Sequence, residues 1–146
     1  MNVPRQSASA VRRQLTLSER PWSSAPLADS ASVLVTNGVF RMGVTTANVF
    51  GSGGTITVKE NGQYDLNQNG GTAPTSNRTF HIEGVGPDGT GAIVNNNTSG
   101  TTGGQTLKTV YLTDDATIGG SRRIDFRGTA GTCRLFGEGH VLTIKN

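Results

Sequence analysis

An all-β, parallel β-solenoid is the fold class this sequence predicts, and three observations predict it. Short β-type runs recur along residues 32–146, and several of them alternate apolar and polar side chains. Alternation of period two marks strands buried on one face. The runs are separated by polar corners such as Thr36-Asn37-Gly38, Glu60-Asn61-Gly62 and Thr113-Asp114-Asp115. Similar blocks open at Val33, Ile56, Phe80 and Val110, spaced by 23, 24 and 30 residues. Coils of fixed width with loops of variable length produce such intervals. A β-sandwich of hairpins is the alternative; it also explains Asn-Gly turns and short strands, but not the similarity between blocks.

Residues 1–31 differ in texture from the rest. They hold three of the five prolines and the single tryptophan, and no glycine. Residues 9–20, "SAVRRQLTLSER", could form about two helical turns but have no convincing apolar stripe, and an isolated helix this short is marginal in water. The segment therefore reads as a mobile N-terminal tail without a stable fold. From Ser32 the strands follow in order, covering 32–36, 39–42, 55–59, 63–66, 79–83 and 92–94. The second half supplies 108–113, 116–118, 122–126, 133–136 and 140–145. Ile56 and Val58 share a face, as do Tyr64 and Leu66, Phe80 and Ile82, Ile124 and Phe126, and Leu142 and Ile144. The intervals lack the length and periodicity of crossover helices, which argues against βαβ packing. Residues 32–146 form the repeat region, which stops in mid-coil and so reads as truncated at the C-terminus, with an open edge near Val141 to Ile144.

Composition narrows the function. The net charge is +3, but four arginines against two carboxylates in 1–31 account for most of it, leaving the body nearly neutral. A nucleic-acid binder concentrates basic charge on its folded surface, so nucleic acid is not an expected partner. No run approaches the roughly 18 apolar residues of a spanning helix, and the N-terminus carries no apolar segment of secretory type. The single cysteine, Cys133, excludes an internal disulfide and reads as a small packed side chain.

The sequence offers few groups for chemistry. Gly86-Pro87-Asp88-Gly89 sits where a coil must turn: proline presets φ, and Asp88 can bond the backbone two residues on. Asp88 is also the best single candidate for a metal contact, although the alternating ligands of a calcium loop do not follow it. Gly84, Gly86 and Gly89 match a phosphate-loop spacing, but a strand follows where that motif needs a helix. Asp114, Asp115 and Asp125 are the candidates for carboxylate catalysis of the kind that cleaves glycosidic bonds. Adjacent aspartates in a strand point to opposite faces, so Asp114 and Asp115 more naturally fix a corner. Asp125, among Arg122, Arg123 and Arg127, reads as a surface ion-pair partner. His81 points outward between Phe80 and Ile82, with no second ligand in metal spacing. One of Asn95, Asn96 and Asn97 is expected in an amide ladder between coils, and the others in a loop. No cofactor is implied.

"VLVTNGVFRMG" followed by "GGTITVKENGQYDLN" resembles the autotransporter-associated β-strand repeat. "RTFHIEGVGPDGTGAIVNN" and "LKTVYLTDDATIGGSRRIDFRG" look like its continuation in large secreted repeat proteins of bacteria. The resemblance covers about residues 32–146. It implies a right-handed parallel β-helix, here of about four to five coils, at the bacterial cell surface or outside the cell. It implies a non-catalytic structural or adhesive segment of a passenger-like protein. The expected partners are neighbouring coils or like chains through the open C-terminal edge, and surface glycans. A polysaccharide-acting β-helix enzyme and a small sandwich binding module are the alternatives. The translocating barrel and the signal peptide of that family are departures from the pattern, since neither lies in this chain.

Overall fold

A computed structural model describes residues 15–16, 32–42, 54–67, 78–98, 105–126 and 133–146. They form ten strands and no helix: β1 (Leu15–Thr16), β2 (Val33–Arg41), β3 (Thr55–Asp65), β4 (Thr79–Gly84), β5 (Ile93–Val94), β6 (Gln105–Leu107), β7 (Thr109–Gly119), β8 (Ile124–Phe126), β9 (Arg134–Phe136) and β10 (Leu142–Ile144). Every pairing among them is parallel. A sandwich of hairpins needs antiparallel neighbours, so that alternative falls and the chain is a β-solenoid.

The block openers found in the sequence stack on one another. Val33 lies opposite Ile56, Ile56 opposite Phe80, Phe80 opposite Val110, and Val110 opposite Leu135. A second inward column runs Phe40, Tyr64, Ile93, Ile118, Ile144. The long walls are β2, β3, the β4–β5 pair and β7, with β6–β8 forming a separate two-stranded sheet. Three steps separate those four walls, so the solenoid makes about three turns. Four to five coils were expected; among the described residues the difference arises because β1, β9 and β10 are only two or three residues long.

The core follows from the alternation. Ile56, Val58, Phe80, Ile82, Val110 and Leu112 project inward from the stacked first halves of β3, β4 and β7 and are 0–3% exposed. Beyond the corner, Phe40 stacks on Tyr64 with ring centroids 5.4 Å apart, and Tyr64 meets Phe80 edge-on at 5.7 Å. The buried Tyr64 hydroxyl donates to Met42 Sδ at 3.1 Å. Burial pushes its pKa far up, and the nearby Arg78 guanidinium only partly offsets that.

The polar corners bend strands without ending them. At Asn37-Gly38 and Asn61-Gly62 the ladder continues through the bend, with a register shift between Val35 and Asn37. The two runs expected on either side of each corner are thus one strand. Gly62 is required there because a Cβ would lie 2.3 Å from the Val35 carbonyl oxygen. The next level solves the same corner differently. Gly84 and Ile93 are opposite Ala116 and Ile118, so residues 85–92 form an inserted loop at a corner that β7 turns within its own length.

Within the segment expected as a tail, Leu15 and Thr16 pair with Val33 and Leu34 as β1. That qualifies the expectation of no stable fold at those two residues; the remainder of 1–31 lies outside the described residues. None of the described residues belongs to a helix long and apolar enough to cross a membrane.

Candidate functional site

The register of β10 on β7 creates a side-chain cluster that sequence spacing did not show. Leu142 lies opposite Ala116, which carries His140 to the corner occupied by Asp114 and Asp115. His140 Nδ1 is 3.6 Å from Asp114 Oδ1 and 3.9 Å from Asp115 Oδ1. The two aspartates do not diverge as neighbours in a flat strand would; at the corner both turn towards one imidazole. Asp114 Oδ1 accepts the Asp115 N–H at 2.7 Å, and Asp115 Oδ1 accepts the Val141 N–H at 2.8 Å. The corner reading of Asp114 and Asp115 therefore describes their bonds. One nitrogen and two carboxylate oxygens lie within 4.8 Å of one another, a donor set that suits a borderline divalent cation. Both carboxylates are more than 70% exposed, and each already accepts a backbone bond. A search for residues 23–30 apart, the block interval, would have paired His140 with Asp114.

Asp125 is not brought to this cluster. It stands on β8, in the separate sheet, and pairs with Arg123 Nε at 3.0 Å. That is the surface ion pair expected, of a kind worth about 0–1 kcal/mol. Arg122 is used elsewhere: its Nε donates to the Asn97 carbonyl at 2.9 Å. Cys133 is half-buried, with Sγ 3.6 Å from the Leu107 carbonyl.

Asp88 holds the inserted loop together. Its Oδ1 accepts the Thr90 N–H at 3.0 Å, the Thr90 hydroxyl at 2.6 Å and Gln63 Nε2 at 3.0 Å. The Thr90 hydroxyl is the main reason its pKa is lowered; burial opposes this and the remaining bonds add to it. The same Gln63 nitrogen also contacts Thr90 Oγ1 and the Gly91 carbonyl. The loop thus closes over the outer face of β3. Gln63 and Asp65 are buried even though they alternate with inward Tyr64 and Leu66. Beneath it Asp65 accepts Arg41 Nε at 2.8 Å and the amides of Asn67 and Asn96.

The asparagines form ladders, though not amide on amide. Asn67 Nδ2 donates to the Met42 carbonyl, Asn97 Nδ2 to the Asn67 carbonyl, and Arg122 to the Asn97 carbonyl. Each level's side chain bonds the backbone of the level before. Asn95 and Asn96 also join coils: Asn95 donates to the Arg123 carbonyl, and Asn96 Oδ1 accepts the Ser121 N–H. All three asparagines are therefore structural, where only one was expected to be.

On the outer face of the stacked strands β4, β7 and β9, His81, Tyr111 and Phe136 stand in register. Their rings stack at 4.9 and 4.4 Å with interplanar angles of 10° and 6°. Sugar-binding platforms offer ring faces to a pyranose, but here the faces are turned towards each other and the edges face solvent. Lys59, Glu83 and Thr113 run beside this column. Glu83 accepts Lys59 Nζ at 2.8 Å and the Thr113 hydroxyl at 2.9 Å. Partial burial raises the Glu83 pKa, but these bonds together outweigh it and hold the carboxyl below its ordinary range.

An open recess of about 690 Å³ lies at the C-terminal end, lined among others by Ile118, Ile124, Phe126, Leu135, Leu142 and Ile144. None of Asp88, Asp114, Asp115 or Asp125 lines it. Compared with family models, curated proteins and solved structures, the chain matches none.

Proposed function

We propose that this chain is a non-catalytic structural segment of a passenger-like β-helix protein, placed outside the cell or on a bacterial surface and offering its outer faces for adhesion. The observation that carries the reading is the destination of the polar side chains. Asp65, Asp88, Asn67, Asn97 and Gln63 are spent on bonds within or between coils. The candidate carboxylates stand apart: Asp114 and Asp115 at an exposed corner, Asp125 on another sheet. Glycoside hydrolysis needs an acid and a base flanking one bond in a shaped cleft, and the recess carries neither. The resemblance of residues 32–146 to the autotransporter-associated repeat supports the same reading. Thr55, Thr79 and Thr109 stand in register beside His81 and Tyr111 on the outer face, and this is the face offered for adhesion.

The experiment has two arms. An antiserum against residues 32–146 is applied to intact source cells before and after protease shaving. Labelling that shaving removes is expected, and signal confined to the cytosolic fraction contradicts the location. Incubation of the full chain with immobilised polysaccharides should give retention without new reducing or unsaturated ends; release of such ends supports the enzyme alternative. In that case His140 with Asp114 is the first pair to substitute.

A further inference from the structure

At the β7 corner an imidazole from one level meets two carboxylates from another, at separations that hydrogen bonding does not explain. Gly137 to His140 make a tight turn, with Glu138 and Gly139 in left-handed backbone and the His140 N–H on the Gly137 carbonyl at 2.7 Å. The turn delivers the ring to the corner just before β10 begins. Nδ1 then stands 3.6 Å from Asp114 Oδ1 and 3.9 Å from Asp115 Oδ1. A hydrogen bond needs about 2.7–3.2 Å. Nitrogen and oxygen donors held at about 2.0–2.2 Å from a tetrahedral metal lie roughly 3.3–3.6 Å apart, close to what is seen. The two oxygens are also aimed. Each accepts one backbone N–H, from Asp115 and from Val141, and keeps a second lone pair to give.

We propose that this corner binds one divalent cation of the zinc class, with His140 Nδ1, Asp114 Oδ1 and Asp115 Oδ1 as ligands and water completing the shell. The imidazole is what selects the ion. Calcium and magnesium take about six or more oxygen donors, whereas a nitrogen with two carboxylates suits zinc and its neighbours in the first transition row. Two carboxylates and a neutral imidazole also balance a charge of 2+. Closing the shell asks only for a slight inward turn of the Asp115 side chain, which is exposed and has room for it. The bound ion ties β10, a strand of three residues, to β7 across one coil. All three ligands lie on β7 and in the turn before β10, so the site needs no further chain, and it stands apart from the surface role proposed above.

Titration calorimetry of the full chain with zinc chloride, after treatment with a chelator, tests it. Binding of one ion per chain is expected, with a rise in the melting temperature, since an ion bound only by the folded chain stabilises it. His140→Ala should weaken binding by about tenfold or more. Asp114→Asn and Asp115→Asn should each weaken it too; both keep an oxygen for the backbone N–H, and far-UV circular dichroism shows that each variant keeps its strands. His81→Ala and Asp125→Asn, away from the corner, should change nothing, and magnesium should not compete. Absence of binding overturns the proposal, as does binding that survives His140→Ala or falls equally with His81→Ala. Loss with His140→Ala but with neither aspartate variant marks a lone surface histidine and overturns it as well.

Discussion

Phe40 on the first level and Ile144 on the last occupy the same inward column, yet one is 5% exposed and the other 64%. Both lie in short β-type runs, Phe40 between Val39 and Arg41 and Ile144 between Thr143 and Lys145. What differs is how far each is covered: Phe40 is buried, and Ile144, on the last described strand, is largely in water. In a solenoid a strand determines which side chains point inward, but only the next level removes them from water. Burial is thus a property of the stack, and the two ends show the same pattern with and without its completion.

The largest expected effects test that contrast directly. Phe80→Ala, in the middle of the stack, should cost about 3–5 kcal/mol. Phe40→Ala should cost nearly as much if the first level is covered, whereas Ile144→Ala should cost less than about 1 kcal/mol because most of that side chain is already in water. Urea unfolding of the three variants gives the ordering. Equal costs for Phe40 and Ile144 would make the ends alike.

The second effect concerns the corners. Gly62→Ala drives a Cβ against the Val35 carbonyl oxygen 2.3 Å away, and backbone on both levels must move. A loss of about 2–3 kcal/mol is expected. Gly89→Ala meets nothing within 4 Å, and its cost is that of a positive φ of 73°, about 1–2 kcal/mol. Thermal melts of both place the strain between coils rather than in the loop, or reverse that order.

Asp88 supplies a smaller, pH-dependent effect. Its folded pKa is depressed, so its contribution is present above the unfolded value near pH 4 and fades as pH falls through the folded value. Asp88→Asn should therefore be less stable than the parent at pH 7, and the gap should narrow by pH 3. Urea midpoints at the two pH values check this; a gap that widens in acid contradicts the assigned bonds. Smallest of all, Tyr111→Ala removes two ring contacts from a half-buried outer position and should cost about 0.5–1.5 kcal/mol, read from the same unfolding curves.

Much of the wall was legible in the sequence, and much of its surroundings was not. The spacing of Val33, Ile56, Phe80 and Val110 placed them in one column because coil width is fixed and apolar side chains must stack. Pro87, Asp88 and Gly89 announced a corner through their own backbone preferences. Gln63 and Asp65 were hidden because alternation reports direction: the inserted loop closes over Gln63, and Arg41 with the Asn67 and Asn96 amides meets Asp65. The meeting of His140 with Asp114 and Asp115 was hidden by a separation of about one coil. The exposure near Val141 to Ile144 was expected from the sequence, whereas the burial of Phe40 was not legible, since what covers that level is not written in the strand itself.

Hydrogen exchange of backbone amides along β2 and β10 tests the asymmetric stack most directly. The account predicts slow exchange at Lys145, whose N–H bonds the Ile118 carbonyl, and at Thr143, which alternation turns towards β7. Leu142 and Ile144, pointing off the end, should exchange fast, while the amides of β2 that face β3 stay protected. Uniform protection along β10, or β2 amides exchanging as fast as those of Leu142 and Ile144, would contradict it.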